Sequence, residues 1–149
     1  MQRPHPRTDH AVELIAATDV PAFAERPRVD RSRGCLIGSR CDACSATSWP
    51  ARAVCHRCGR AKPATVELSR VGTLLTYTTV AIGRPGVPAP YVLGQVRLDD
   101  GPVVFGHVRD LDDGAAVPLA VRIVIGADEL ATPWYWFSAA SHEEDDHDE

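Results

Sequence analysis

The chain has 149 residues, 44% of them hydrophobic and 24% charged, room for one ordinary domain or two very small ones, which excludes a large multidomain enzyme. The balance is that of a folded, non-fibrous protein; no apolar run approaches the ~20 residues needed to cross a bilayer, and the opening MQRPHPRTDH has no apolar core for export, so a cytoplasmic protein without membrane contact is expected. The net charge of -4 hides a division: six of the twenty acids fall in the last eight residues, residues 1–62 carry eleven Lys/Arg against six Asp/Glu, and residues 63–141 carry five against eight.

Residues 1–33 read as an N-terminal helical and linker segment. Thr8 and Asp9 can cap a short helix with Val12, Ile15 and Ala16 on one face, and Asp19 can cap a second that begins near Pro21. Neither is long enough to be stable alone. Residues 26–33 hold four arginines and read as a solvated connector.

Residues 34–62 read as a zinc ribbon. All five cysteines lie between 35 and 58, and four of them form two brackets, Cys41-Asp-Ala-Cys44 and Cys55-His-Arg-Cys58, ten residues apart. In a reducing compartment such spacing signals metal rather than disulfides. Each bracket can form a knuckle that turns two sulfurs toward one point, and two facing knuckles make the tetrahedral sulfur cage that Zn²⁺ accepts. Four thiolates leave no position for an activated water, so the expectation is one structural Zn²⁺ per chain; iron in a rubredoxin-like cage with electron transfer is a minor alternative. With a cluster charge of -2 included, residues 1–62 still carry a net +3. Cys35, outside both brackets, reads as a small buried apolar residue, His56 as a solvated knuckle tip, and Trp49 as a lid over the ribbon.

Residues 63–140 change to β-branched runs separated by turn residues. Strands are expected at about 73–82, 91–98, 103–109, 119–125 and 134–138, with Asp99-Asp100-Gly101 a hairpin turn between the second and third. Tyr91, Leu93, Gln95 and Arg97 alternate with Val92, Gly94, Val96 and Leu98, which gives one buried face. Gly72, Gly94 and Gly106 fall where a small curved barrel needs bulges or sharp bends. The fold class is therefore mainly β: short N-terminal helices, a rubredoxin-like zinc ribbon and a C-terminal five-stranded OB-fold barrel with residues 83–90 as its flexible rim. Residues 141–149 hold no apolar side chain and are expected to be a disordered acidic tail.

Gly34-Cys35-Leu36, Arg40-Cys41-Asp42-Ala43-Cys44, Trp49-Pro50-Ala51-Arg52, Cys55-His56-Arg57-Cys58-Gly59, Val71-Gly72-Thr73, Tyr77-Thr78, Pro90-Tyr91-Val92 and Leu98-Asp99-Asp100-Gly101 occur in that order. Together they resemble the small proteins in which a zinc ribbon is joined to an OB fold and which accompany thiolase-like and other acyl-CoA enzymes. The resemblance spans about residues 34–138 and departs from the family in the weak N-terminal helical pattern, at Ala51 and at Val117-Pro118-Leu119. It implies a non-catalytic accessory subunit of lipid metabolism, bound to a thiolase-like or aldolase-type enzyme and helping to hold an acyl-CoA thioester.

Coenzyme A offers phosphates, an adenine and a narrow pantetheine arm, so a binder needs guanidinium groups and an aromatic platform. Arg40, Arg52, Arg57 and Arg60 on the ribbon and Tyr91 on the barrel are the candidate ligand-binding residues. Independent catalysis is poorly supported, since there is no Gly-rich phosphate loop, no nucleophile elbow and no His-x-x-x-His pair, and His107 and Asp110 have no evident nucleophile to activate. Single-stranded nucleic acid is the alternative ligand, because ribbons and OB barrels both serve it. Tyr91, Arg97, Phe105, His107 and Arg109 in an acidic half are a thin basis for that reading.

Overall fold

The computed structural model describes residues 28–127 and 133–139. The short helices expected before residue 27 and the acidic tail lie outside the described residues.

Val29–Asp30 (β1) pairs antiparallel with Cys35–Arg40 (β2), Val29 opposite Leu36. The stretch from Arg28 onward is thus the first hairpin of the ribbon and not the solvated connector expected from its arginines. The Asp30 carboxylate closes the turn by accepting the Ser32 hydroxyl and the Arg33 N–H. Arg33 ion-pairs with Glu67, and Arg31 donates to the Gly126 carbonyl across to the barrel. β2 is buried along Cys35–Ser39 because it has partners on both sides: Thr47–Ser48 (β3) and Ala64–Glu67 (β4). β4 begins where the barrel was expected to begin, yet it runs along β2 from Arg40↔Ala64 to Ile37↔Glu67.

Five longer strands follow: Val71–Val80 (β5), Tyr91–Leu98 (β6), Val103–Arg109 (β7), Leu119–Ile125 (β8) and Tyr135–Ala139 (β9). The second, third and fourth match the expected ranges; the first begins two residues earlier and the last one residue later. They close in the order β5-β6-β7-β9-β8 with β8 back on β5. Every pairing is antiparallel except β7 with β9. This is the five-stranded OB arrangement. Gly94, Val96 and Leu98 point inward while Gln95 and Arg97 are exposed, as the alternation requires.

The register shift does not fall at the expected glycines. The register shift lies between Leu74 and Thr76 of β5, opposite Val96 and Gln95. Gly94 serves a different need: a Cβ there would sit 2.6 Å from Leu74 Cδ1 and 2.8 Å from Val108 Cγ2, so the position is filled by neighbouring side chains.

Leu74, Val96, Leu98, Val104, Val108, Val121, Ile123 and Phe137 form the barrel core, and Leu36 of β2 and Leu68 of the connection belong to the same cluster. The two halves therefore share apolar packing. Trp49, expected over the ribbon, is wedged between halves: its ring meets Tyr135 edge-on at 5.4 Å and Trp134 at 6.3 Å, and its indole N–H donates to the Arg28 carbonyl. The β6–β7 turn adds a polar tie. The Thr47 hydroxyl donates to the Asp100 carbonyl at 2.8 Å, and the Ser69 N–H donates to the Asp100 carboxylate at 2.9 Å.

Candidate metal centre and barrel cavity

Two knuckles of the same construction carry the cysteines. In the first, the Ser45 N–H donates to the Cys41 carbonyl, the Cys41 N–H donates to Ala46, and Ser45 takes φ 60°. In the second, the Gly59 N–H donates to the Cys55 carbonyl, the Cys55 N–H donates to Arg60, and Gly59 takes φ 76°. The left-handed residue after each Cys-x-x-Cys reverses the chain so that both sulfurs face inward, and glycine adopts it without a steric penalty.

The four sulfurs of Cys41, Cys44, Cys55 and Cys58 lie within 4.8 Å of one another, with 3.6 Å across Cys41–Cys58 and across Cys44–Cys55. Zn–S bonds of about 2.3 Å in a tetrahedron require sulfur edges of about 3.8 Å. The cage fits zinc. The electrostatics agree: the backbone N–H groups of Cys58 and Arg57 hold the Cys55 pKa down to about 6. Cys44 also receives a backbone N–H, from Ala46, but burial and the three neighbouring sulfurs outweigh it and push it up to about 11. One sulfur is ready to ionise and another resists, and a divalent cation in the centre removes that conflict. With four cysteine ligands the site is closed and structural, one zinc per chain.

Cys35 is buried at 2% exposure, and its thiol is pushed up by burial, as an inert apolar residue should be. His56 is exposed at the second knuckle's tip.

Arg40, Arg52, Arg57 and Arg60 are all exposed on the ribbon. Arg40 ends β2 directly before Cys41. The Arg52 backbone N–H donates to the buried Ser39 hydroxyl, which also meets Ser48, so this position braces the arm leading to Cys55. The Arg57 N–H points at Cys55 Sγ, and the Arg60 guanidinium lies 4.0 Å from the Asp42 carboxylate.

Tyr91 sits elsewhere. Its ring stacks on His107, with centroids 5.1 Å apart and an interplanar angle of 28°, beside a cavity of about 550 Å³. Arg84 lines that cavity; none of the four ribbon arginines does. A second recess of about 350 Å³, bordered by Val87, Arg109 and Leu111, adjoins the same pair. His107 is nine-tenths buried, and its Nε2 has no hydrogen-bond partner. Burial, with Arg84 and Arg109 nearby, pulls its pKa below the ordinary value and keeps the ring neutral.

Comparison with known proteins places this architecture. Residues 30–64 match the family described as the ChsH2 rubredoxin-like zinc ribbon domain, and residues 65–126 match the ChsH2 C-terminal OB-fold domain. A DUF35 domain-containing scaffold protein of Methanocaldococcus jannaschii is 32% identical over 54% of this chain, a stretch that spans 59% of that relative's length. A protein of the same description from Pyrococcus furiosus is 30% identical over 63% of this chain and 74% of the relative. The chain belongs to the DUF35 family.

A further relative, the benzoylsuccinyl-CoA thiolase subunit BbsA of Thauera aromatica, is 26% identical over 71% of this DUF35 chain and 73% of that protein. Among solved structures, the Ltp2-ChsH2(DUF35) aldolase has a chain that superposes with a TM-score of 0.61 at 24% identity, covering 78% of this chain and all of that one. A DUF35 protein of unknown function from Sulfolobus solfataricus gives 0.52 at 18% identity over 73% and 78%. Both show the same fold.

Sequence reasoning singled out Tyr91 at this cavity but missed the roles of Arg84, Trp134 and Tyr135. The available signal was an arginine between two glycines in the loop that joins the first two barrel strands, a position from which OB folds commonly reach a ligand. Among the described residues no helix is long and apolar enough to cross a membrane.

Proposed function

We propose that the protein is a non-catalytic accessory subunit that binds acyl-CoA and supports a thiolase-like or aldolase-type enzyme. The observation that carries the reading is the match, across ribbon and barrel together, to relatives named as scaffold proteins and as a thiolase subunit. The surface is compatible with a partner: Phe105 and Val103 stand 57% and 49% exposed on β7, and Ile82, in the loop after β5, is 81% exposed. The metal is closed and structural, so the chemistry belongs to the partner. Arg40, Arg52, Arg57, Arg60 and Tyr91 are the groups this reading assigns to the thioester's phosphates and adenine. It puts the protein in the cytoplasm, where a four-thiolate site stays reduced.

The test is reconstitution. Co-expressed with a thiolase-like enzyme from the same source, the protein should co-purify with it, and the enzyme should lose solubility or activity when made alone. The complex should retain acyl-CoA at moderate salt. A monodisperse monomer that leaves every such enzyme fully active without it would end the proposal. The single-stranded nucleic-acid reading rests on Tyr91 and Phe105 on the OB face and predicts tighter retention of an oligonucleotide than of acyl-CoA in the same assay.

A further inference from the structure

The cavity on the outer face of the barrel lies where OB folds take their ligands, on the second and third strands between the loop that joins the first two strands and the loop that joins the last two. Tyr91 comes from β6, Phe105 and His107 from β7, Trp134 and Tyr135 from the entry to β9, and Arg84 from the loop after β5. About 550 Å³ is within the range of small-molecule sites.

Its walls are fixed in advance. Arg84 and Val87 exchange two backbone hydrogen bonds, of 3.0 and 2.9 Å, and Val87 is buried, which pins the loop that carries the guanidinium. The Tyr135 hydroxyl donates to the Phe105 carbonyl at 2.6 Å, and its ring is held between Trp134 at 4.6 Å and Trp49 at 5.4 Å. Gly106 makes room for this: a Cβ there would stand 2.9 Å from Tyr135 Cε2. The Tyr91–His107 stack forms another wall, and Phe105 leaves an aromatic face open.

These parts select a ligand class. Flat rigid aromatic walls favour a planar ring over a flexible acyl chain. His107 adds no charge, so Arg84 is the cation among the described lining residues and meets one phosphate. A polynucleotide needs a cationic track, and the stretch from residue 63 to 141 has five Lys/Arg against eight Asp/Glu. One ring with its own phosphate is the better match.

We infer that this cavity holds the phosphorylated adenosine end of coenzyme A, with adenine against the Tyr91 and Phe105 rings and a phosphate on Arg84. The inference rests on the acyl-CoA reading above and moves the nucleotide from the ribbon arginines to the barrel. The pantetheine arm and its thioester are then left outside the cavity, able to extend into the partner's active site.

The test titrates four probes into the zinc-loaded full chain, alone and with its co-purified enzyme: coenzyme A, adenosine 3′,5′-bisphosphate, acetyl-pantetheine, which lacks the nucleotide, and oligo(dA). Adenosine 3′,5′-bisphosphate should bind and compete with coenzyme A. Arg84→Glu, on an exposed loop, should weaken both at least tenfold with zinc content and melting temperature unchanged, and Phe105→Ala should do the same. Acetyl-pantetheine should be indifferent to both. If coenzyme A binds but neither Arg84→Glu nor Phe105→Ala weakens it, this placement is overturned while the acyl-CoA reading survives, and a loss confined to Arg52→Glu returns the phosphates to the ribbon. If no coenzyme A binds with or without the enzyme, or oligo(dA) binds more tightly than coenzyme A, the acyl-CoA reading falls and the placement falls with it.

Discussion

In the ribbon, the buried apolar side chains are few: Cys35, Leu36, Ile37, Ala51 and, of the four metal ligands, Cys41 and Cys55. In the barrel, Leu74, Val96, Leu98, Val104, Val108, Val121, Ile123 and Phe137 fill a closed interior. Burial at about 25 cal/mol per Å² can support the second region, whereas the first is too small to fold on apolar area and depends on metal–sulfur bonds. The same contrast separates their surfaces, because the ribbon presents charge around its zinc and the barrel presents aromatic rings around a cavity. Folding thus rests on different chemistry in each half, although Leu36, Leu68 and Trp49 join them.

Removing the metal should break the comparison most severely. Cys41→Ser, Cys44→Ser, Cys55→Ser or Cys58→Ser should release zinc, whose binding in small ribbon-like domains is worth ~10–16 kcal/mol. The ribbon should unfold, and the barrel, deprived of Leu36 and Trp49 cover, should melt at a lower temperature. Elemental analysis and hydrogen exchange check this; a variant that retains a protected ribbon without metal would contradict it.

Phe137→Ala attacks the other region. The ring is completely buried, so its loss should cost about 3–5 kcal/mol in denaturant unfolding. Because none of the four metal-binding cysteines belongs to that core cluster, protein that remains folded should still carry one zinc per chain. Gly94→Ala should follow at about 1–3 kcal/mol, since its methyl group meets both Leu74 and Val108 below contact distance and the interior must shift. Chemical denaturation of this variant should show a lower midpoint with unchanged zinc affinity.

The smallest effect concerns acid. His107 has a folded pKa below its ordinary value of 6.5, so the unfolded chain takes up a proton there that the folded chain refuses. Its contribution is complete above about pH 6.5 and is lost as pH falls toward the folded pKa. His107→Phe should flatten the stability profile between pH 7 and 5; an identical acid dependence in the variant would assign the effect to other groups.

The metal site was legible because its geometry is local: two sulfurs per knuckle need a fixed short spacing, and Cys41-x-x-Cys44 and Cys55-x-x-Cys58 print it directly. The barrel strands were legible through the alternation around Val96 and the turn at Asp99-Asp100-Gly101. The first ribbon strand was hidden because Arg28, Arg31 and Arg33 dominate its composition, while the partners that order it, Leu36, Glu67 and Gly126, are supplied by the tertiary fold. The cavity was hidden for a related reason. Its walls come from a loop, two strands and the entry to a third, and only closure of the barrel sets Tyr91 on His107 and Tyr135 under Phe105.

The last strand, β9, lies between β7 and β8 and is the single stave that pairs with both. A ribosome delivers β5 through β8 before it, so until β9 emerges a nascent barrel has two unpaired edges and its interior lacks Phe137. The knuckles have emerged some eighty residues earlier by that point and can already hold their metal. Translation thereby imposes an order in which the ribbon closes first, and a chain arrested before residue 135 exposes the open strand edges that promote aggregation.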